Sequence, residues 1–252
     1  MRGSVLGVVS VVALSGLGGL HAAAQSSGDQ PALADDPELV AAGQELFATG
    51  CSSCHGLAGE GSVNGPRIAD AGEAAADFQL RTGRMPAADI EGQQPGKDPA
   101  YGDHEIQALV AYVGSLGDGP RIPDVDPARG DLANGGELYR ANCAACHNAS
   151  GIGGALSYGS EAPSVRDVGP VQVGEAMRTG PGQMPVFGPD SFSPQDLDDI
   201  ARYIQELAEP SRRGGLSLGS VGPVTEGFVA VLFALGSIVL ATRWITARRR
   251  AS

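Results

Sequence analysis

The sequence predicts an all-α protein with two tandem helical domains followed by one C-terminal transmembrane helix. Three observations support this fold class. One helical pattern occurs twice along the chain, in the same internal order. No stretch combines sustained alternation of apolar and polar residues with a hairpin signal, as strands would require. A long uncharged apolar segment near the C-terminus is followed at once by arginines, which is typical of a membrane span.

The first segment, residues 1–24, has the pattern of a signal peptide. An apolar run from Val5 to Leu20 lies behind Arg2, and the small residues after it allow cleavage following Ala24. The run is short and glycine-rich for a membrane span. We therefore expect a signal peptide, with an uncleaved N-terminal anchor as the alternative.

The first helical domain is predicted over residues 37–117. Asp36 is expected to cap its first helix, which has Pro37 at its first position. Asp103 is expected to cap its last helix, which Gly117 would end. The last helix carries an apolar stripe at i, i+3, i+4 and i+7, formed by Ile106, Leu109, Val110 and Val113.

The second helical domain is predicted over residues 131–208, because it repeats the first. GQELFATGCSSCHG at 43–56 matches GGELYRANCAACHN at 135–148, and two further blocks match in the same order. Ser193 and Pro194 begin its last helix, whose apolar stripe consists of Leu197, Ile200, Ala201 and Ile204. Residues 118–130, rich in Pro, Gly and Asp, are the predicted linker between the domains.

A second linker, residues 209–222, leads to a transmembrane helix predicted over residues 223–245. The segment is long and apolar enough to cross the hydrocarbon core, and Trp244 would lie at the interface. Arg243 lies near the C-terminal end of this segment, and the basic tail at 246–252 follows it. The positive-inside rule places this tail in the cytoplasm and both helical domains on the outer, periplasmic side of the cell membrane.

The charge balance argues against nucleic acid as a partner. The chain has 29 acidic and 17 basic residues, giving a formal net charge of −12. Such a surface repels nucleic acid and attracts basic partners in a salt-sensitive way, although acidity can also serve only solubility.

All four cysteines lie in two Cys-x-x-Cys-His motifs, the attachment pattern of c-type haem. Each thiol can form a thioether with one of the two vinyl groups of haem, and the adjacent histidine then lies under the iron and supplies a nitrogen ligand. The predicted cofactors are therefore two covalently bound haem c groups. Their attachment residues are Cys51, Cys54 and His55 in the first copy and Cys143, Cys146 and His147 in the second.

Three other interpretations of the cysteines are weaker. A thioredoxin-like redox pair needs a strand–helix context that the sequence lacks. A zinc site would need the two halves to come together and would leave both histidines unexplained. Disulfides suit an exported protein, but a bridge across Cys-x-x-Cys closes a tight ring and stabilises little.

Methionines at matching positions are the predicted sixth ligands of the two irons. Met85 and Met184 each precede proline in an Arg-Thr-Gly…Met-Pro loop, and methionine sulfur raises the potential relative to a second histidine. Packing of these methionines on the haem edge is the alternative. Met177 has no counterpart and is expected to pack in a helix. His104 and His21 are also unmatched, and we assign neither as a ligand.

Two further pairs of residues are expected to support the haems. Pro66 and Pro163 are placed to offer a backbone carbonyl to the other ring N–H of each motif histidine. Arg81 and Arg178 match across the copies and are candidates to pair with haem propionates, with ordinary solvated arginines as the alternative.

Each half of the chain resembles a class I cytochrome c domain. In that family a first helix bearing a glycine and an aromatic residue crosses a last helix bearing an aromatic residue. Gly43, Phe47 and Tyr112 fit this pattern in the first copy. In the second copy, the matching residues are Gly135 or Gly136, Tyr139 and Tyr203.

The complete arrangement of export signal, two such domains and one C-terminal span resembles the dihaem cytochrome c subunit of the actinobacterial quinol–cytochrome c reductase. The resemblance implies a cytochrome b subunit, a Rieske iron–sulfur subunit and a haem–copper terminal oxidase as partners. It also implies an electron-transfer subunit of a proton-translocating oxidoreductase, with no catalytic side chain of its own. The alternative is a stand-alone dihaem cytochrome c that accepts electrons from a periplasmic dehydrogenase.

Overall fold

The computed structural model describes residues 32–90, 92–211 and 223–251. The segment 1–24 with His21, and residues 212–222 of the second predicted linker, lie outside the described residues. The body of the chain forms two compact units, and the second begins at Val125. Both units are built from helices, which confirms the predicted fold class.

The first unit contains four α-helices, preceded by a short 3-10 turn at Leu33–Asp35. The helices are α1 (Pro37–Gly50), α2 (Ser52–His55), α3 (Gly72–Arg81) and α4 (Asp103–Gly114). The start of α1 is as predicted, because the Asp36 carboxylate accepts hydrogen bonds from the N–H groups of Glu38 and Leu39 at 2.9 and 3.2 Å. Pro37 occupies the first helical position.

The start of α4 differs from the prediction. Gly102 is the N-cap, and the Glu105 carboxylate accepts from its backbone N–H at 2.8 Å. Asp103 is instead the first helical residue, and its carboxylate pairs with the Arg81 guanidinium at 2.8 Å. The helix ends at Gly114, ahead of the expected stop at Gly117. The predicted cap was wrong because a distant arginine engages the aspartate.

Helices α1 and α4 cross at Gly43. A Cβ atom on Gly43 would lie 1.9 Å from the Ala108 carbonyl oxygen, so only glycine lets the two backbones approach this closely. The rings of Phe47 and Tyr112 pack beside the crossing with their centroids 5.1 Å apart. The predicted apolar stripe of α4 is buried around this crossing.

The second unit repeats this arrangement. Its helices are α5 (Leu132–Asn142), α6 (Ala144–His147), α7 (Pro170–Thr179) and α8 (Pro194–Ala208). Ser193 caps α8 as predicted, and the apolar stripe of α8 is buried. A Cβ atom on Gly135 would lie 1.9 Å from the Asp199 carbonyl oxygen. Gly135, rather than Gly136, is therefore the counterpart of Gly43, and Tyr139 packs on Tyr203 with centroids 5.4 Å apart.

Helix α3 and a small hairpin were not predicted from the sequence, and α7 was anticipated only as a helix that contains Met177. Helices α3 and α7 lie between the histidine motif and the methionine loop of each unit. The second unit also contains a small antiparallel hairpin, in which β1 (Gly154–Ala155) pairs with β2 (Glu161–Ala162). The hairpin is a local exception within an otherwise helical fold.

The predicted linker is bound at both ends rather than free. In the first unit, the Pro120 carbonyl accepts a hydrogen bond from the Ala74 N–H at 3.0 Å. In the second unit, Val125 belongs to the apolar core and a 3-10 turn forms at Pro127–Arg129. Arg129 pairs with the buried carboxylate of Asp198 at 2.8 Å.

Helix α9 runs from Pro223 to Ala251. Its segment Gly227–Arg249 has a mean hydropathy of 2.0 and is long and apolar enough to cross a membrane. Every side chain from 227 to 249 is exposed, as a lipid-facing helix requires. The Arg248 guanidinium lies 4.2 Å from the centroid of the Trp244 ring, a cation–π contact at the basic end of the segment.

A buried aspartate joins the start of α5 to α8. Asp199 is 2% exposed, and its carboxylate accepts hydrogen bonds from the Asp131 N–H, the Asn134 amide and the Gln195 amide at 2.6 to 2.7 Å. Burial opposes ionisation, but these hydrogen bonds outweigh it and hold the pKa of Asp199 below its ordinary value. The ionised form therefore stabilises the folded unit.

Acidification should remove this contribution. Because the pKa of Asp199 is lower in the folded state than in the unfolded state, its stabilisation is complete above about pH 5 and disappears as the pH falls through the folded pKa. Asp199→Asn should lower the free energy of unfolding by about 1–3 kcal/mol at neutral pH, because its amide meets donors only. The variant should also lose less stability on acidification than the unmodified protein.

Urea unfolding of the haem-loaded protein at neutral and acidic pH measures both effects. Asp190→Asn, at an exposed loop position, is the matched control and should change stability by less than about 0.5 kcal/mol. Equal acid sensitivity of Asp199→Asn and the unmodified protein would contradict the assignment.

Candidate haem-binding sites

Each Cys-x-x-Cys-His motif is wound into one helical turn directly after the first long helix of its unit. In the first unit, the His55 N–H donates to the Cys51 carbonyl at 3.0 Å. In the second, the His147 N–H donates to the Cys143 carbonyl at 2.9 Å. The turn holds two thiols and one imidazole within five residues, in the same conformation in both copies.

The four cysteines form no disulfide bond with one another. Burial, and then the neighbouring Cys54, raise the pKa of Cys51. Burial, and then the neighbouring Cys146, raise the pKa of Cys143 to about 11. Within the described residues, no three His, Cys, Asp or Glu side chains lie close enough together to hold a metal ion, so the geometry offers no support for the zinc interpretation.

Each motif histidine is oriented by a proline carbonyl, as predicted. The Nδ1 atom of His55 lies 2.8 Å from the Pro66 carbonyl oxygen, and that of His147 lies 2.9 Å from the Pro163 carbonyl oxygen. Because a carbonyl only accepts, Nδ1 must carry the proton in both rings. The Nε2 lone pair of each imidazole is then available as a metal ligand.

The matched methionines lie beside the same apolar clusters as the cysteines. Met85 and Cys51 are both half-buried against the core of the first unit. Met184 and Cys143 are both half-buried against the core of the second. The first thiol of each motif and the matched methionine thus lie against one apolar cluster. Together with the second thiol and the adjacent imidazole, they make up a donor set of the kind that haem c uses.

Two other candidate ligands lie elsewhere. Met177 is 2% exposed in the core of the second unit, in agreement with the prediction that it packs in a helix. His104 is exposed on the first turn of α4.

The two matched arginines have different partners. Arg81 pairs with the Asp77 and Asp103 carboxylates, each at 2.8 Å. Arg178 instead donates to the Phe187 carbonyl at 2.8 Å and so supports the loop that follows Met184. Their matching sequence positions therefore do not give them matching contacts.

A tyrosine hydroxyl holds the chain that follows each histidine, which the sequence analysis did not identify. Tyr112 on α4 donates to the Leu57 carbonyl at 2.7 Å, whereas Tyr139 on α5 donates to the Asn148 carbonyl at 2.9 Å. Burial, and then Cys143 and Tyr203, raise the pKa of Tyr139 to about 12, so it remains a donor. The sequence does contain a signal for this contact, because each pair of aromatic residues at a helix crossing includes at least one tyrosine.

Comparisons with known proteins agree with this geometry. The family model described as cytochrome c matches residues 40–117. The model described as cytochrome c oxidase, cbb3-type, subunit III matches residues 130–204. The chain thus contains two cytochrome c domains in tandem, and such domains imply haem c.

Similar proteins of known name show which family of cytochrome c proteins the chain belongs to. The cytochrome bc1 complex cytochrome c subunit of Mycobacterium tuberculosis is 41% identical over 253 residues, covering 96% of this chain and 90% of that protein. The protein of the same name from Corynebacterium diphtheriae is 36% identical, covering 85% and 83%. The cbb3-type cytochrome c oxidase subunit FixP of Azorhizobium caulinodans is 30% identical, covering 68% and 62%. The chain belongs to the family of the cytochrome c subunit of the cytochrome bc1 complex.

Removal of one thiol pair should remove one haem. Cys143→Ala combined with Cys146→Ala should reduce covalently bound haem from two groups to one per chain, because both thioether sulfurs of that site are lost. A pyridine haemochrome assay of the purified, denatured protein measures this ratio. Cys51→Ala with Cys54→Ala is the matched control and should give the same ratio, and substitution of all four should give none. Two haems on either paired variant would refute the assignment.

Proposed function

We propose that this protein is a membrane-anchored dihaem cytochrome c that carries electrons within the respiratory chain. It accepts them from the cytochrome b and Rieske iron–sulfur part of a quinol–cytochrome c reductase and delivers them to a haem–copper terminal oxidase. The observation that carries the proposal is the repeated histidine geometry. Both units present a thiol pair and an imidazole whose Nδ1 atom lies 2.8 or 2.9 Å from a proline carbonyl oxygen, which leaves Nε2 as the available ligand.

The proposed ligand sets follow the two units. The first set is Cys51, Cys54, His55 and Met85. The second set is Cys143, Cys146, His147 and Met184. The cysteines attach the haems covalently, and each histidine and methionine supply the two axial ligands. Haem c, when bound, supplies an iron that gains or loses one electron.

The protein's own residues hold these groups and keep their surroundings fixed. With a histidine and a methionine both ligating it, each iron would have no open site for oxygen. The proline carbonyls prevent the imidazoles from rotating. No side chain of this protein makes or breaks a substrate bond, so it acts in the oxidoreductase as an electron-transfer subunit.

The proposed membrane arrangement rests on α9. Residues 223–245 would span the cell membrane, with Trp244 at the interface and the basic tail 246–252 in the cytoplasm. The haem domains, residues 37–117 and 131–208, would then lie on the outer side, after a signal peptide at 1–24. Their acidic composition suits docking against basic partner surfaces.

Purification in mild detergent tests the partners. A C-terminally tagged chain should co-purify with a cytochrome b, a Rieske protein and a haem–copper oxidase, and an untagged strain is the control. Recovery of the chain alone, or bound only to a dehydrogenase, would refute the proposal in favour of a stand-alone cytochrome. Recovery with an oxidase but without cytochrome b would instead indicate an oxidase subunit, as in the FixP relative.

Substitution of one methionine tests the axial assignment. Met184→His should lower the midpoint potential of one haem and leave the other unchanged, because imidazole stabilises the oxidised iron more than a thioether does. A spectroscopic redox titration of the detergent-solubilised chain measures both potentials, and the haem of the first domain is the internal control. An unchanged titration would exclude Met184 as a ligand.

A further inference from the structure

The loop that supplies the Pro163 carbonyl is tied to the end of α8 by Arg166. The Arg166 guanidinium donates to the carbonyl of Ala208, the last residue of α8, at 3.3 Å. Carbonyls in the last turn of a helix have no partner within the helix, and a cation there is also favoured by the helix dipole. This bond joins positions 42 residues apart, three residues beyond the carbonyl that orients His147.

The other bonds of this loop reach less far along the chain. The Arg166 N–H donates to the Ser164 hydroxyl at 3.2 Å, and this hydroxyl lies 3.5 Å from the Asp167 carboxylate. The Val165 N–H donates to the Gly151 carbonyl at 2.9 Å. Of these bonds, the one from Arg166 to Ala208 is the one that holds the loop against α8.

In the first unit, the loop after Pro66 also meets the end of the last helix, but through different contacts. We call this meeting point of loop and last helix the junction. The residue three positions after Pro66 is Ala69, which is 5% exposed. It packs directly against Gly117, the counterpart of Ala208, because a Cβ atom on Gly117 would lie 2.4 Å from the Ala69 carbonyl oxygen. In the first unit, backbone atoms of the loop therefore lie directly against the residue that corresponds to Ala208.

In the second unit the junction is an open cleft. Its volume is about 410 Å³, and its lining residues are Ile152, Ser164, Arg166, Asp167, Ala208 and Glu209. The Arg166 side chain reaches across this cleft from the loop to the end of α8. In the first unit, the backbone at Ala69 and Gly117 is in direct contact at the same position. Both proline loops are also held by close packing against a glycine, Gly61 in the first unit and Gly153 in the second. The units differ in how the loop meets the end of the last helix, where only the second uses one long side chain, that of Arg166.

We propose that Arg166 is a positioning residue of the second haem site. It holds the Pro163 carbonyl at hydrogen-bond distance from the Nδ1 atom of His147 and so sets how strongly that imidazole donates to its metal. A strong bond to Nδ1–H raises the basicity of the ligand and favours the oxidised metal. The proposal rests on the proposed function, because it takes His147 as an axial ligand of haem c.

Redox titration of the full chain in detergent tests Arg166. Arg166→Ala should raise the midpoint potential of one haem, because a looser Pro163 carbonyl weakens the bond to His147. The other haem should keep its potential. Loss of a nearby positive charge alone would lower the potential, so a fall would overturn the proposal, and so would an unchanged value. Arg166→Lys should show a smaller rise, since its ammonium group can still donate to the Ala208 carbonyl.

Arg202→Ala is the matched control. Arg202 also donates to a carbonyl at 3.3 Å, that of Pro127, within the same unit. Arg202→Ala removes one positive charge, as Arg166→Ala does, but keeps the bond between Arg166 and Ala208. No rise in midpoint potential is therefore expected, and a rise equal to that of Arg166→Ala would overturn the proposal. Should Arg166→Ala fail to retain its second haem, Arg166→Gln carries the test with the same criteria. Absence of two c-type haems from the unmodified protein would instead refute the proposed function.

Discussion

The hydrogen bond between each motif histidine and a proline carbonyl is the constraint on which both sites depend. The Cys-x-x-Cys-His turn fixes where the imidazole begins, but not how the ring is rotated. A carbonyl 2.8 or 2.9 Å from Nδ1 decides the rotation and the tautomer together. With the proton on Nδ1, the Nε2 atom keeps its lone pair and is available as a ligand. The proline loops are therefore as much part of the sites as the cysteines, although they contribute only backbone atoms.

The crossing of the first and last helices is the frame that holds these loops. Glycine at the crossing brings two backbones into contact, at Gly43 in the first unit and Gly135 in the second. The aromatic pair beside each crossing then reaches the chain that follows the histidine. The hydroxyl comes from the last helix in the first unit and from the first helix in the second. Either the first or the last helix can supply this hydroxyl, because the two rings pack side by side at the crossing.

The parts of this fold that were predictable are those encoded by neighbouring residues. The cap at Asp36, the apolar stripes of α4 and α8 and the histidine turns all depend on spacing within a few positions. Helix α3 was missed because buried acids interrupt its apolar pattern, among them Glu73 and Asp77. Glu73 accepts from the Ala34 N–H, 39 residues away, at 2.8 Å. Such a long-range partner makes a buried carboxylate stable, and a sequence window does not contain it.

The duplication shows the same limit at the sites themselves. Where covalent spacing imposes the geometry, as in the histidine turn, the two copies agree and the repeat predicts the structure. Where side chains from distant segments meet, the copies have diverged. Arg81 binds carboxylates while Arg178 binds a carbonyl, and the junction closed by Ala69 and Gly117 in the first unit is spanned by Arg166 in the second. A repeated motif therefore predicts the same candidate ligands in both copies, but not the same contacts around them. Because these contacts tune ligand strength, two sites with the same proposed ligands can acquire different potentials.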